Sequence, residues 1–206
     1  TSGLTERTDV SHFRLATHLL TALLILGALI WTALDLRQLA GGQTRQAKLT
    51  AFGLVVFIVL FLQLLLGAYT AGLNAGYVSN TWPLMNGSLI PSVINWTDDL
   101  WSKLNNDHYM IHFIHRWWAW VAVGFLVILA RRIRAQSKKA SIAIYIAIGA
   151  QILLGIGTVM TSVNIHFAVL HQAVGALVVI STAWGVHLLG RYPTDASNNL
   201  SFKETL

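Results

Sequence analysis

The chain has 206 residues, of which 55% are hydrophobic and 11% charged, and its formal net charge is +6. A soluble globular domain has about 25% charged residues, so this chain has too few to cover a water-exposed surface. The composition excludes a disordered chain, a nucleic-acid-binding module and an ordinary cytosolic enzyme. Cysteine is absent, which excludes disulfides, thiolate nucleophiles and cysteine-ligated metals. We therefore expect most of the chain to lie in a lipid bilayer.

Five apolar segments are long enough to cross a bilayer, which takes about 20 residues in a helix. In chain order they are Leu15–Leu34, Leu49–Ala71, Tyr109–Ala130, Ala140–Thr161 and Phe167–Leu189. None of these segments contains an acidic residue, and the third contains Arg116 near its start. The sequence therefore predicts an all-α fold, a polytopic transmembrane helix bundle with five spans.

The charges in the connecting loops predict how the bundle is oriented. Loop 35–48 has three basic residues, and loop 131–139 has five basic residues and no acidic one. The long loop 72–108 has one basic residue against three acidic ones. By the positive-inside rule, the two basic loops and the tail 191–206 are cytoplasmic or in the matrix. Loop 72–108 and the N-terminus of this segment are then on the outer side.

Two internal similarities divide the chain into parts. The sequences Gln63–Gly67 and Gln151–Gly155 match, and a threonine follows each three residues later. A histidine followed thirteen positions later by a tryptophan occurs in the first and the fifth span, as His18 with Trp31 and His171 with Trp184. We interpret residues 49–190 as a four-helix unit with an outer loop, 72–108. Residues 1–48 would be the last helix of a preceding, similar unit plus an inner loop, so we expect further helices upstream.

Histidines inside the spans are the candidate functional residues. An ionisable residue within a span is costly and indicates function by default. His115 and His171 lie at similar depths, roughly 6–9 Å below the outer boundary at 1.5 Å per residue. Two imidazoles on different helices can bind a haem from its two faces. His18 lies at a similar depth in the first span. The alternative is that each histidine is a hydrogen-bonded packing residue.

Polar residues near His115 allow more than one interpretation. His108, His112 and His115 share one helical stripe, and this spacing allows a zinc site. Zinc sites have three or four ligands and often include a carboxylate, whereas no span contains an acidic residue. Haem is favoured. His112 could support His115 by a hydrogen bond or carry a proton. Arg116 could pair with a haem propionate, or it could extend to the outer lipid headgroups.

Several motifs resemble the haem A synthase family in its alphaproteobacterial and mitochondrial form. The loop sequence LLGAYTAGLNAGYVSNTWPLMNG, residues 65–87, resembles the family's signature region. Four more segments resemble the family in the same order along the chain: VSHFRLATHL (10–19), IHRWWAW (114–120), QILLGIGTV (151–159) and LHQAVGAL (170–177). The resemblance covers nearly the whole chain, as a C-terminal portion of the family.

The resemblance implies eight spans in two pseudo-symmetric halves, with a pair of histidine ligands in each half. It implies oxidation of the C8 methyl group of haem O to the formyl group of haem A, for cytochrome oxidase. His115 and His171 match the C-terminal pair, which holds haem b as cofactor. His18 matches the second ligand of the N-terminal pair, where the substrate haem O reacts. At the position of His112 the family often has glutamine.

If the chain is a segment of a longer enzyme, it supplies the haem b site and one ligand of the substrate site. The isolated segment would then be inactive. The expected membrane is the bacterial plasma membrane or the mitochondrial inner membrane. Besides haem and lipid, expected partners are haem O synthase, cytochrome oxidase assembly factors and a second copy of the chain. Alternative functions are a non-catalytic bis-His transmembrane b-type cytochrome and a haem carrier or assembly module.

Overall fold

All regular secondary structure in the computed structural model is helical over the residues that it describes, which are 11–43, 46–94 and 99–191. The α-helices are α1 (His12–Ala40), α2 (Ala51–Gly72), α3 (Leu100–Asn106), α4 (His108–Arg132), α5 (Lys138–Met160) and α6 (Ile165–Arg191). Five of them, all except α3, are long and apolar enough to cross a membrane. The predictions of an all-α fold and of five spans are therefore confirmed, and the chain is an integral membrane protein.

Four of the five spanning helices are longer than the apolar segments that predicted them, and α2, with 22 residues, is one residue shorter than Leu49–Ala71. α1 continues to Ala40 and α6 begins at Ile165, because a helix satisfies its own backbone hydrogen bonds beyond the hydrocarbon region. One consequence is a correction: Asp35, assigned from the sequence to a loop, lies within α1. α2 begins instead at a defined cap, where the Thr50 hydroxyl accepts a hydrogen bond from the amide of Gly53 at 3.1 Å.

The two ends of the bundle differ in composition, and we name them accordingly. The histidine end is where α4 and α6 begin, and the basic end is where they finish, next to the basic segment 131–139. α2 packs along α4, α5 packs along α6, and α1 contacts both α2 and α6. An apolar cluster is formed mainly by residues in the basic-end halves of these helices, among them Leu129, Ile144 and Val186.

The connection between α2 and α4, predicted as a loop, contains two short helices. A 3-10 helix covers Ala75–Val78, and α3 begins after Asp99, whose carboxylate accepts from the amide of Ser102 at 3.0 Å. Both elements are too short for a hydrophobic period to reveal them. Three predicted features lie outside the described residues: Asp98 of this connection, Arg45 of the first basic loop, and the tail 191–206 apart from Arg191.

Candidate functional site

His115 is held between α4, which carries it, and α2. Its ring Nδ1 lies 3.2 Å from Nε2 of Gln63, a side chain in the middle of the apolar helix α2. The same amide nitrogen donates to the backbone carbonyl of His115 at 3.3 Å. The imidazole is only partly buried. Gln63 thus fixes the ring of His115 without introducing a charge into the membrane, where an ionised partner would be costly.

His171 has the same kind of partner on the neighbouring helix pair. Its Nε2 lies 3.2 Å from Nε2 of Gln151, which belongs to α5. The ring is again partly buried. The two glutamines are the first residues of the two matching sequence segments, so the internal similarity corresponds to two glutamine–histidine pairs, one on α2 and α4 and one on α5 and α6.

A glycine in each matching segment lets the helix approach the imidazole closely. A Cβ atom added to Gly67 would lie 3.0 Å from Cε1 of His115, and one added to Gly155 would lie 3.0 Å from Cε1 of His171. Side chains rarely make contacts this short, so any larger residue would push the ring away. The threonines of the segments do not reach the rings, since Thr70 and Thr158 each donate to the carbonyl four residues earlier at 2.8 Å.

Arg116 holds the loop between α2 and α4 against the bundle. Its side chain is 7% exposed, so it does not extend to the headgroups, which was one of the two roles that the sequence allowed. Its Nη1 donates to the carbonyl of Thr81 at 2.9 Å, and its Nη2 donates to that of Ser79 at 3.4 Å. Its Nε donates to Nε2 of His112, one turn earlier, at 3.0 Å. Arg116 therefore connects the loop to the helix of His115.

His112 is fully enclosed, at 2% exposure, and its role in the structure is to accept from Arg116. His108, in the same helical stripe, is exposed. Among the described residues no three His, Cys, Asp or Glu side chains come together as a metal site, so the stripe His108, His112 and His115 does not assemble the zinc site that its spacing allowed.

The chain matches a family model described as "Cytochrome oxidase assembly protein" over residues 1–183. Among curated proteins, "Heme A synthase" of Erythrobacter litoralis is 53% identical over 187 residues, covering 90% of this chain and 55% of that protein. "Heme A synthase" of Sphingopyxis alaskensis is 52% identical over 192 residues, covering 92% of this chain and 54% of that protein.

"Heme A synthase" of Novosphingobium aromaticivorans is 49% identical, covering 92% of this chain and 56% of that protein. The chain belongs to the haem A synthase family. It spans about half the length of the curated relatives that it matches.

The third predicted ligand of this haem A synthase family member, His18, is not brought together with His115 and His171. It lies on α1 and is exposed, whereas the buried residues of that helix, Ala16 and Leu23, lie on the opposite face. His18 instead lies with Phe13, Arg14, Thr17 and Thr21 on a shallow, open face of α1. The structure thus separates the predicted residues into a pair on α4 and α6 and a single histidine that faces away from them.

Gln63 and Gln151 are site residues that sequence reasoning missed, since both glutamines served there only as markers of an internal similarity. A stronger signal was available, because an amide in the middle of an apolar helix requires a hydrogen-bonding partner within the membrane. The partner could not be identified from sequence, since that depends on how α2 and α4 are rotated against each other.

Proposed function

We propose that this chain forms the haem b site of a haem A synthase, with His115 and His171 as the two axial ligands. In the whole protein this site would serve the oxidation of the C8 methyl group of haem O to the formyl group of haem A. The observation that carries the proposal is the pair of matched histidines, each partly buried in a span and each positioned by a glutamine from the adjacent helix. The names of the relatives support the reaction.

The donor set fits a haem iron. Neutral imidazoles from two helices are the usual ligands of a low-spin b-type haem in a bundle. Within the described part of the chain, four buried polar atoms of the site have no hydrogen-bond partner: Oε1 of Gln63, Oε1 of Gln151, Nδ1 of His171 and Nδ1 of His112. Buried polar atoms normally have hydrogen-bond partners, so these atoms are available for bonds that the described residues do not supply. Haem b supplies a one-electron iron couple when it is bound.

Arg116 supports the binding of a propionate. A guanidinium has five N–H groups, and three polar contacts of Arg116 are accounted for by His112, Thr81 and Ser79. Two N–H groups are then left to donate to an anion near the histidine ligand, which immediately precedes Arg116 in the sequence. In this proposal Arg116 has two functions, binding the carboxylate and holding the loop over the site, while His112 orients its guanidinium.

His18 would ligate the substrate haem O, at a second site on the far face of α1. Four residues on that face, Arg14, Thr17, His18 and Thr21, are spaced at one helical turn, and all are exposed in the described structure. Charged and polar side chains of a span normally face protein or a cavity rather than lipid. This face would therefore be covered in the intact protein, and His18 would act there, separately from the haem b ligands.

For the localisation, we propose a bacterial plasma membrane or mitochondrial inner membrane, with the histidine end outside. The five basic residues of 131–139 support this orientation. Haem O synthase and cytochrome oxidase assembly factors are the proposed protein partners, together with a second copy of the chain.

The test of the haem b site is a reduced-minus-oxidised spectrum, with pyridine haemochrome analysis, of this chain purified in mild detergent. We expect a low-spin b-type spectrum that is lost in His115→Ala and in His171→Ala. The matched control is His166→Ala, an exposed histidine five residues earlier on α6, which should retain the spectrum. An unchanged spectrum in His171→Ala would overturn the ligand assignment.

The reaction is tested in the whole protein by haem extraction from cells that make haem O. A haem with a formyl group should accumulate with wild-type protein and not with His18→Ala. Bound haem b without any formyl product would instead favour a b-type cytochrome or a haem carrier.

A further inference from the structure

We infer that Gln63 and Gln151 are positioning residues for the haem ligands: each amide sets the rotation and the electron-donating strength of one imidazole. This inference rests on the proposed function, because it requires His115 and His171 to bind iron. Gln63 and Gln151 begin the two matching sequence segments, and iron binding by the histidines does not by itself explain why glutamine is present there.

Each glutamine places its side-chain amide 3.2 Å from a ring nitrogen of one histidine. Gln63 is further anchored by its bond to the His115 carbonyl. Groups that hydrogen-bond to a ligating histidine fix the orientation of the ring and alter its basicity. The two glutamines are therefore placed to act on the ligands without touching the iron.

The chemistry of the amide suits this role. An amide has both a donor and an acceptor, and in both glutamines the acceptor Oε1 is buried without a partner in the described part of the chain. A histidine that binds iron through one nitrogen keeps an N–H on the other, and that N–H requires an acceptor. Rotation of the glutamine amide by half a turn would bring its oxygen to the ring nitrogen, and at Gln63 this bond would replace the present one from its amide nitrogen to the His115 carbonyl. The free oxygen is thus the acceptor that ligation requires.

The fit of each ring against the neighbouring helix adds a second restraint. Gly67 and Gly155 lie four residues after the glutamines, and a Cβ atom added to either would lie only 3.0 Å from Cε1 of the imidazole. Each ring is then restrained on one edge by an amide and on another by a helix backbone. The restraint occurs twice, on helix pairs that share the same sequence pattern, so it is not an accident of one contact.

The two copies also differ in one respect. The ring nitrogen next to the glutamine is Nδ1 in His115 and Nε2 in His171. The two imidazoles are therefore turned differently relative to their amides. We expect the two glutamines to have effects of the same kind but of unequal size on a haem held between the rings.

The experiment replaces the glutamines in the whole chain, either by an apolar residue or by one that can only accept a hydrogen bond. Gln63→Met and Gln151→Met keep the side-chain volume and remove the hydrogen bond, so the bundle should still fold. Gln63→Glu keeps an acceptor. The matched controls are Thr70→Val and Thr158→Val, which change the same repeat segments at hydroxyls bonded only to their own helix.

The readouts are the midpoint potential, the EPR g-values of the oxidised haem and the haem dissociation constant. We expect each Met variant to raise the potential, since a weaker donor stabilises the ferric state less. The dissociation constant should rise about 10- to 100-fold, as for residues that support metal ligands in general. Gln63→Glu should lower the potential relative to Gln63→Met and restore the g-values towards those of the wild type.

The outcomes separate this inference from the proposed function. If the wild type binds no haem, the haem b proposal fails and this inference fails with it. If the wild type and both Met variants bind haem with the same potential, g-values and affinity as the threonine controls, the glutamines do not position the ligands, although the haem b site remains. A shift in the Met variants that is absent from the threonine controls supports the inference.

Discussion

The two ends of the bundle contain buried histidines in contrasting surroundings. At the basic end, His187 is completely buried, and its Nε2 lies 2.8 Å from a carboxylate oxygen of Asp35 on α1. Trp31 packs edge-on against the same ring, with centroids 5.1 Å apart. At the histidine end, His115 and His171 are partly buried, and their partners are neutral amides.

The difference shows that the partner and the packing, rather than the histidine itself, distinguish a structural residue from a candidate ligand. His187 is surrounded by packed helices: apart from the partly buried Trp184, every residue of α6 from Ser181 to Arg191 is buried. No residue of α6 from Ile165 to Val174 is fully buried. The basic end is therefore built for stability, whereas the histidine end has rings that remain accessible from at least one side.

The largest effect on stability should come from His187→Ala. The substitution removes a fully buried ring and leaves Asp35 with only the backbone amide of Ala47, 3.4 Å from its Oδ1, as a partner. It should lower the free energy of unfolding by about 3 kcal/mol. Thermal unfolding in detergent measures this, with the exposed His166→Ala as control. Equal melting temperatures for the two variants would show that the basic end does not depend on the pair. The haem spectrum of His187→Ala, where the protein is folded, should be that of the wild type.

Gly190→Ala should also weaken the basic end. A Cβ atom at this position would collide with the backbone carbonyl of Lys48, which cannot move as easily as the end of a side chain. We expect a loss of about 2 kcal/mol, typical of overpacking. The control is Gly124→Ala, at a helical position where the new methyl group meets nothing within 4 Å. That change should be neutral or slightly stabilising. A stable Gly190→Ala would contradict the tight contact between α6 and the first basic loop.

Arg116→Gln should affect the histidine end alone. Without the guanidinium, the carbonyls of Ser79 and Thr81 lose their donor, and the local stability of the loop should fall by about 1.4 kcal/mol. Amide hydrogen exchange of residues 79–88 would then be about tenfold faster. Arg131→Gln, which changes an exposed arginine at the basic end, should leave that exchange unchanged. Faster exchange in both variants would indicate a general effect of charge rather than the contact described.

The smallest differences are expected for the helix caps, which occur at both ends. The Asp107 carboxylate accepts from the amide of Met110 at 3.0 Å at the start of α4, and the Ser137 hydroxyl accepts from that of Ala140 at 3.2 Å at the start of α5. Asp107→Ala and Ser137→Ala should each lower the unfolding free energy by about 1 kcal/mol. Chemical unfolding would measure both, and a large difference between them would mean that the two ends are not equally dependent on their caps.

Hydropathy was sufficient to predict the spans, because a bilayer imposes a minimum length of apolar helix. The depth of a residue along its helix also follows from the sequence, which is why His115 and His171 could be paired as candidates. Rotation about the helix axis does not follow from the sequence. The outward direction of His18, the partners of Gln63 and Gln151 and the pairing of Asp35 with His187 all depend on it.

The loop between α2 and α4 shows a second limit. It contains apolar residues, and the described structure buries Met85 and places Trp82 against Trp120, with ring centroids 6.5 Å apart. That Arg116 would bind this loop could not be deduced, because the contact joins positions about 35 residues apart without any periodic pattern. The sequence therefore predicted a long connection between these spans but not the contact that holds it against α4.

The position of α6 has a consequence for biosynthesis. α6 contacts α1, α2, α4 and α5, and its buried half completes the apolar cluster between them. It is also translated after all four of those helices. A nascent chain can insert the four spans that precede α6 here, but it cannot close their common interior until α6 leaves the ribosome. Incomplete chains would thus expose interhelical surfaces in the bilayer, where membrane proteases could recognise them.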